Sequence, residues 1–207
     1  MRGKFVTFEG CEGVGKSTQL SLIKEYCQNN GLDFLFTREP GGNLISEKIR
    51  SIILDRENGE MSGVCEALLY AAARAQLSES VIVPTLNQGR TVICDRYLDS
   101  SYAYQGYARG LGTDFVWEIN RRAVGDAIPD LTIFLDLPPD VAFQRKGGRD
   151  ADDRLENEKN DFHLKVYKGY VEASQRFPER IVRVDCSGSV MDTHRKILAV
   201  LKERGVL

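Results

Sequence analysis

The sequence lacks three features that would place it in a specialised class of proteins. It has no basic excess, because 28 Lys and Arg against 30 Asp and Glu give a net charge of -2, which argues against a nucleic-acid coat. No apolar run approaches ~18 residues, and the amino terminus leads straight into a strand pattern, so neither a membrane span nor a secretion signal is expected. The five cysteines form no CxxC pair and no metal-binding spacing, as is typical of reduced thiols. We therefore expect a cytoplasmic protein with neither nucleic acid nor membrane as a partner.

What the sequence does contain is five short apolar runs separated by long helical patterns. The runs are Lys4–Glu9, Phe34–Thr37, Thr91–Asp95, Leu131–Leu137 and Ile181–Asp185. Each is too continuously apolar for a half-exposed strand, so the alternation predicts an α/β fold with a five-stranded parallel sheet flanked by helices. A chain of 207 residues suits one domain, or one domain with an inserted lid.

Three further segments give local predictions. The first helix is expected from Lys16 to about Asn29, and a long helix from Cys65 to about Leu86 should cross the core, with Pro84 disturbing its last turns. The stretch from Lys146 to Asp153 is densely charged and contains glycine, which predicts an exposed loop.

The segment FEGCEGVGKST, residues 8–18, matches the phosphate-loop pattern G-x-x-x-x-G-K-[ST] in full, after a predicted strand and before a predicted helix. In such a loop, backbone N–H groups and the helix amino terminus surround phosphates. Lys16 can reach the β- and γ-phosphates, and the Ser17 hydroxyl can bind Mg²⁺. We therefore predict a nucleoside-triphosphate site formed by Gly10, Cys11, Glu12, Gly13, Val14, Gly15, Lys16, Ser17 and Thr18.

The phosphate loop alone leaves the reaction class open. A switch GTPase should carry an NKxD motif that recognises guanine and a DxxG motif after a strand, and neither is found. A motor ATPase usually needs a larger core and a strand ending in paired acids. The third run ends in Asp95-Arg96 instead, at the edge where α/β sheets bind ligands. There Asp95 could order Mg²⁺ through water, and Arg96 could hold a second phosphate bidentately.

Four sequence blocks resemble thymidylate kinases of the bacterial type. They are FEGCEGVGKST (8–18), TREPGG (37–42), LLYAAARAQ (68–76) and DRYLDSSYAYQG (95–106), and GGRDADDRLE (147–156) stands where that family has its lid. The resemblance implies a P-loop NTPase fold like that of adenylate kinase, as a single nucleoside monophosphate kinase domain over residues 1–207 with a short lid at about 146–156. It also implies Mg²⁺-dependent phosphoryl transfer from ATP to dTMP in dTTP synthesis, commonly by a homodimer.

The same resemblance suggests how the acceptor would be bound. Tyr70, where the family usually has Phe, would stack on thymine, and Arg74 would donate to a thymine carbonyl. Tyr104 would crowd the 2′ side of the sugar, Arg96 would hold the dTMP phosphate, and Glu12 would accept a hydrogen bond from the 3′-OH. The predicted acceptor set is completed by Ser101, Gln105 and Arg38, the last as a phosphate-side or loop-organising cation.

Catalysis would need positive charge at the transferred phosphoryl group. Some family members place an arginine inside the phosphate loop, where this chain has Gly13, and the bacterial type supplies one from the lid. Arg149 is our choice for that residue and Arg154 the second, while Arg145 would lie near the ATP phosphates or in solvent. The predicted catalytic set is Lys16, Arg96, Arg149 and Glu12, and the predicted metal set is Ser17, Asp95 and Glu39.

Two other readings of the sequence remain open. One is a kinase of the same fold that acts on dUMP, a deoxynucleoside or another monophosphate. The other is a non-catalytic nucleotide-binding regulator, against which the intact Lys16, Ser17 and Arg96 argue. Adenine is expected between the first helix and the loop Cys186–Val190, and redox control at Cys11 is a minor alternative to a plain loop residue.

Overall fold

The computed structural model describes residues 2–146 and 160–207 and contains a five-stranded sheet in which all strands are parallel. The strands are β1 (Phe5–Glu9), β2 (Leu35–Arg38), β3 (Val92–Asp95), β4 (Leu131–Asp136) and β5 (Ile181–Asp185), in the order β2-β3-β1-β4-β5. Every residue of the central strand β1 is buried, because helices cover both of its faces. The α/β architecture predicted from the apolar runs is confirmed.

Helices connect these strands and cover the sheet. They are α1 (Lys16–Asn29), α2 (Leu44–Leu54), α3 (Gly63–Leu77), α4 (Val83–Asn87), α5 (Leu98–Ser101), α6 (Thr113–Val124), α7 (Pro139–Lys146), α8 (Asn160–Arg176) and α9 (Val190–Glu203), with a 3₁₀ turn at Arg56–Asn58. The predicted bounds of α1 are confirmed. The Asn43 side chain caps α2 by accepting a hydrogen bond from Ser46 N at 2.9 Å. No helix within the described residues is long and apolar enough to cross a membrane.

The long helix predicted from Cys65 to about Leu86 is confirmed, because the chain is helical without a gap from Gly63 to Asn87. A π-helical turn, Ser78–Ile82, separates α3 from α4. Its first residue bonds back to the preceding turn, with Ser78 Oγ donating to the Arg74 carbonyl at 2.7 Å. Pro84 then lacks the N–H that would continue a regular ladder. The irregular geometry thus lies in the turn directly before Pro84, which agrees with the predicted disturbance of the last turns.

A second π-helix, Tyr102–Ala108, follows α5 and lies against α8. The close approach depends on Gly169, because a Cβ there would lie 2.8 Å from Ala103 Cα and 2.9 Å from Tyr107 Cβ. Distances this short exclude any side chain at that position unless the backbone moves. Gly169 thus sets how closely α8 packs against the segment that carries Tyr104 and Gln105.

The strand register gathers charged residues at one edge of the sheet. Arg38 pairs with Asp95 across β2 and β3, and Phe8 pairs with Asp95 across β1 and β3, so Glu9 follows immediately at the same edge. All strands are parallel, and their carboxyl ends therefore meet there. The phosphate loop leaves β1 at this edge.

Candidate active site

The phosphate loop connects β1 to α1 and has backbone angles that require glycine. Gly13 has φ 77° and Gly15 has φ 90°, in the left-handed region that other residues rarely adopt. Helix α1 begins at Lys16, and its first N–H groups face the loop as a ready anion site. The Lys16 ammonium lies 2.9 Å from Asp95 Oδ1, at the end of β3. The loop and the edge of the sheet therefore share one electrostatic site.

Cys11 lies in this loop but is buried, with 2% of its surface exposed. Burial raises the pKa of its thiol to about 12, although Arg96 opposes the rise. A thiol with such a pKa stays protonated near neutral pH and is a poor nucleophile. The environment of Cys11 gives no support to redox control.

Beside the loop lies a cleft of about 250 Å³, which we call the central cleft. It brings together all of the residues predicted to bind the acceptor, together with Asp95 and Glu39. Its lining residues are Glu12, Arg38, Glu39, Pro40, Arg50, Leu54, Tyr70, Arg74, Asp95, Arg96, Ser100, Ser101, Tyr104, Gln105 and His163.

Glu12 and Arg96 form an ion pair at the loop side of the central cleft. Glu12 Oε1 lies 2.6 Å from Arg96 Nη2, while Arg96 Nη1 donates to the Gly10 carbonyl at 3.0 Å. The guanidinium carbon lies 5.5 Å from the centre of the Tyr104 ring, within cation–π range. The Glu12 carboxylate thus points across the loop into the cleft, which is the orientation its predicted contact with the acceptor sugar requires.

Arg74 lies in the floor of the central cleft with only 1% of its side chain exposed. Its Nε donates to Glu39 Oε2 at 2.7 Å, and burial raises the pKa of Glu39 while Arg74 opposes that rise. Its two Nη atoms donate to Ser101 Oγ at 2.9 Å, to the Tyr97 carbonyl at 3.0 Å and to Asn120 Oδ1. The guanidinium therefore ties α3 to the turn after β2, to the segment after β3 and to α6. Its donation to a thymine carbonyl remains a prediction.

The other predicted acceptor residues differ in exposure. Tyr70 is half-buried, whereas Tyr104 is buried, and Gln105 is buried with its Nε2 donating to Glu66 Oε1 at 2.7 Å. Arg38 is exposed and donates to both carboxylate oxygens of Glu47, at 2.8 and 3.3 Å. These hydrogen bonds lower the pKa of Glu47. Of the two roles considered for Arg38, its contacts match the loop-organising one.

The donor side is described only in part, because Arg149 and Arg154 lie outside the described residues. Arg145 stands near the end of α7 and donates to the carbonyls of Cys186, at 2.6 Å, and Ser187. Gln19 Nε2 of α1 donates to the Val190 carbonyl at 2.8 Å. The loop after β5, where adenine was expected, is thus fixed from two helices. A contact of Arg145 with ATP phosphates remains a prediction.

The candidate metal ligands form a sparse set. Ser17 lies in the first turn of α1 and Asp95 ends β3, whereas one Glu39 oxygen is already bonded to Arg74. Among the described residues there is no group of three or more His, Cys, Asp or Glu side chains that could hold a metal ion. Mg²⁺ usually binds one or two protein oxygens together with phosphates and water. A hydroxyl and a carboxylate beside a phosphate loop fit a Mg²⁺ ion that arrives with a triphosphate.

A family model described as thymidylate kinase matches residues 8–197. The chain belongs to the thymidylate kinase family. The thymidylate kinase of Thermoanaerobacter sp. (strain X514) is 47% identical over 203 residues, which cover 98% of this chain and 99% of the relative. That of Bacillus velezensis is 49% identical over 189 residues, covering 90% and 89%. The crystal structure of thymidylate kinase from Ehrlichia chaffeensis matches with a TM-score of 0.78 at 29% identity, covering 98% of this chain and 99% of that one.

The thymidylate kinase motifs did not reveal every residue of the site. Arg50 of α2 lines the central cleft and donates to the Pro40 carbonyl at 2.9 Å, yet nothing in its local sequence distinguishes it from a surface arginine. His163 of α8 also lines the cleft and is 2% exposed. Its only sequence signal is rarity, because the chain has two histidines. Glu9 and Tyr170, which lie behind Arg96, were missed for the same lack of a local pattern.

Proposed function

We propose that this chain transfers the γ-phosphoryl group of ATP to dTMP, giving dTDP and ADP, in the synthesis of dTTP in the cytoplasm. One observation carries the proposal: the central cleft opens beside a complete phosphate loop, and Arg96 and Glu12 stand between the two. The names of the relatives, thymidylate kinase, support the same acceptor. We further propose that residues 1–207 form one nucleoside monophosphate kinase domain.

Phosphoryl transfer needs alignment and positive charge more than covalent chemistry. On the donor side, Lys16 and the N–H groups of the loop would hold the β- and γ-phosphates. On the acceptor side, Arg96 would hold the dTMP phosphate and Tyr70 would stack on thymine. Glu12 would accept a hydrogen bond from the 3′-OH of the sugar. No general base is needed, since a phosphate oxygen of dTMP is already nucleophilic at neutral pH.

Mg²⁺ is proposed as the metal, with Ser17 and Asp95 as the residues that would hold it beside the triphosphate. When bound, the ion would neutralise charge on the β- and γ-phosphate oxygens. The Lys16–Asp95 ion pair of 2.9 Å keeps the carboxylate next to the phosphate loop. Glu39 would act only as a helper, because its Oε2 is committed to Arg74.

We propose that Arg149 supplies the positive charge that Gly13 cannot, from the predicted lid at about 146–156. This residue lies outside the described part of the chain, and the proposal rests on the family resemblance. Arg149→Ala should lower kcat by about 100-fold or more, the scale expected when a charge at the transferred phosphoryl group is lost, while the dissociation constant of dTMP changes little. Steady-state kinetics together with dTMP titration would measure both quantities, and a near-normal kcat would remove Arg149 from the mechanism.

A homodimer is also proposed, formed by α2, α3 and α6. These helices expose large apolar side chains, namely Leu44, Ile45, Ile52, Val64, Leu68 and Phe115, each at least 44% exposed. Exposed apolar groups of this density are typical of an interface. Light scattering should give twice the 23.2 kDa chain mass, and Leu68→Asp should shift it towards one chain. A parent protein that stays at one chain mass at tens of micromolar would contradict the dimer.

The decisive test of the activity is a coupled assay of ADP release with dTMP, dUMP, dCMP and dAMP as separate acceptors. We expect dTMP to give the highest kcat/KM, because Tyr70, Arg74 and Ser101 line the cleft where the base would lie. A stronger response to another monophosphate would change the acceptor. If none of the four stimulates ADP release, the chain is not a nucleotide kinase.

A further inference from the structure

Glu9 ends β1 and is fully buried, beside the turn of Arg96 and Tyr97 that connects β3 to α5. Its Oε1 accepts hydrogen bonds from Tyr97 N at 2.7 Å and Ser100 N at 3.2 Å. Its Oε2 accepts from Ser100 Oγ at 2.6 Å and from the Tyr170 hydroxyl at 2.9 Å. A carboxylate that receives four hydrogen bonds in a buried place has a defined position and no rotational freedom.

The two hydroxyls that donate to Glu9 also contact the Arg96 guanidinium. Arg96 Nη1 lies 3.1 Å from the Tyr170 hydroxyl oxygen and 3.4 Å from Ser100 Oγ. A hydroxyl has a single hydrogen to donate, and a guanidinium can only donate. Nη1 carries two hydrogens, and one of them goes to the Gly10 carbonyl, so the two hydroxyls share the other. Each hydroxyl can accept it only if its own hydrogen is directed to another acceptor. Glu9, which as a carboxylate accepts and never donates, directs both hydrogens away from Arg96.

The backbone of the same turn needs external support. Arg96 has φ 65°, a left-handed conformation that is unfavourable for residues other than glycine and persists only where its surroundings enforce it. Glu9 supplies two of the enforcing contacts, to the N–H groups of Tyr97 and Ser100. Asp99 supplies another fixed point, through a bidentate pair with Arg180 at 2.6 and 2.7 Å. The turn is thus held by Glu9 of β1 and, through Asp99, by Arg180, which directly precedes β5.

We propose that Glu9 is a positioning residue for the acceptor site. It fixes the turn and the direction of two hydroxyl groups, so that the Arg96 guanidinium is oriented before the acceptor phosphate binds. This inference rests on the proposed function through the role of Arg96. Burial, reinforced by Asp99, raises the pKa of Glu9 to about 7, while Arg96 opposes the rise, so tests at pH 8 examine the carboxylate form.

The main test is Glu9→Gln, which keeps the shape but places an amide donor against the hydroxyls. At pH 8 we expect the KM for dTMP to rise about tenfold, while the KM for ATP stays within about threefold of the parent. Tyr170→Phe removes one of the two hydroxyls and should raise the KM for dTMP by about threefold. Ile197→Val, a fully buried truncation on α9, is the control for general destabilisation and should leave both KM values within about twofold.

A double-variant comparison separates positioning from a merely structural role. In an Arg96→Ala background, Glu9→Gln should change the KM for dTMP by less than about twofold, because its effect acts through the missing guanidinium. A folded Glu9→Gln protein with the parent KM for dTMP overturns the proposal, and so does a full tenfold effect in the Arg96→Ala background. If Glu9→Gln does not fold, the same two comparisons with Tyr170→Phe decide the matter.

A measurement without substrate keeps this proposal distinct from the function itself. The Arg96 Nε–H signal in a ¹⁵N NMR spectrum can be assigned by its loss in Arg96→Ala. We expect this signal to move or broaden in Glu9→Gln and to stay in place in Ile197→Val. An unchanged Arg96 signal refutes the positioning role, whereas absence of dTMP-stimulated ADP release by the parent protein refutes only the proposed function.

Discussion

Replacing Arg74 by methionine would remove the guanidinium that joins α3 to three other segments around the central cleft. Methionine keeps much of the apolar bulk of the side chain, so the change isolates the charge and its hydrogen bonds. The main group left behind is the Glu39 carboxylate, which is 5% exposed. Its Oε1 already lacks a hydrogen-bond partner among the described residues, so Arg74 is its main compensation.

The expected loss of stability follows from that burial. Removing one partner of a buried ion pair typically costs about 3–5 kcal/mol, because the remaining charge is neither paired nor hydrated. Replacing both partners removes the stranded charge, so the double variant Arg74→Met/Glu39→Met should be about 2 kcal/mol more stable than Arg74→Met alone. Arg38→Met serves as the matched control, since the Arg38–Glu47 pair is exposed and should contribute less than about 1 kcal/mol.

Urea unfolding can be followed by the fluorescence of Trp117, the only tryptophan. Its ring stacks on Phe177 with centroids 4.5 Å apart, so unfolding should change its emission. Free energies of unfolding then come from linear extrapolation. The reasoning fails if Arg74→Met costs no more than Arg38→Met, or if the double variant is as unstable as the sum of the two single variants.

Three further expectations follow from other contacts. Asn43→Ala should cost about 1 kcal/mol in the same unfolding assay by removing the cap of α2, whereas Asn43→Asp should cost little; equal losses would contradict the cap. Glu12→Gln should lower kcat with dTMP by about tenfold and leave the calorimetric dissociation constant of ATP within about twofold, and loss of ATP affinity would place Glu12 on the donor side. Because the pKa of Glu9 rises from 4.5 to about 7 on folding, the folded state binds a proton more tightly, and stability falls as the pH rises through that window. Between pH 5.5 and 8 the parent should lose about 2 kcal/mol more than Glu9→Gln, and parallel pH profiles would refute this.

The sheet and α1 could be predicted from the sequence because their signals are local. An apolar run or a phosphate-loop pattern lies within a dozen residues, and its physical cause, burial or phosphate binding, acts on those same residues. The disturbance near Pro84 could also be predicted, because a proline lacks the N–H of a regular helix, whereas the bounds of the π-helical turn, Ser78–Ile82, have no such local signal.

The central cleft was predictable where its residues belong to contiguous motifs, and not elsewhere. The side-chain partners of Arg74 lie 27 to 46 residues away in the sequence, and the Tyr97 carbonyl lies 23 residues away. The hydrogen bonds by which Arg74 joins these segments therefore cannot be recognised before the chain folds. Glu9 and Tyr170 are 161 residues apart, and neither has a sequence neighbour that signals the other. The members of such buried networks come together only through the fold, whereas the residues of a motif are neighbours in the sequence and can be recognised there.

The tight contact at Gly169 has a consequence for genetics. Gly169 does not line the central cleft, yet any side chain there must displace Ala103, whose neighbour Tyr104 does line it. A selection for cells that tolerate toxic thymidine analogues should therefore return substitutions at position 169 alongside those in the cleft. Such substitutions would act on the central cleft through Ala103 and Tyr104, without contacting the nucleotide. The positions at which resistance arises would therefore include residues that do not line the cleft.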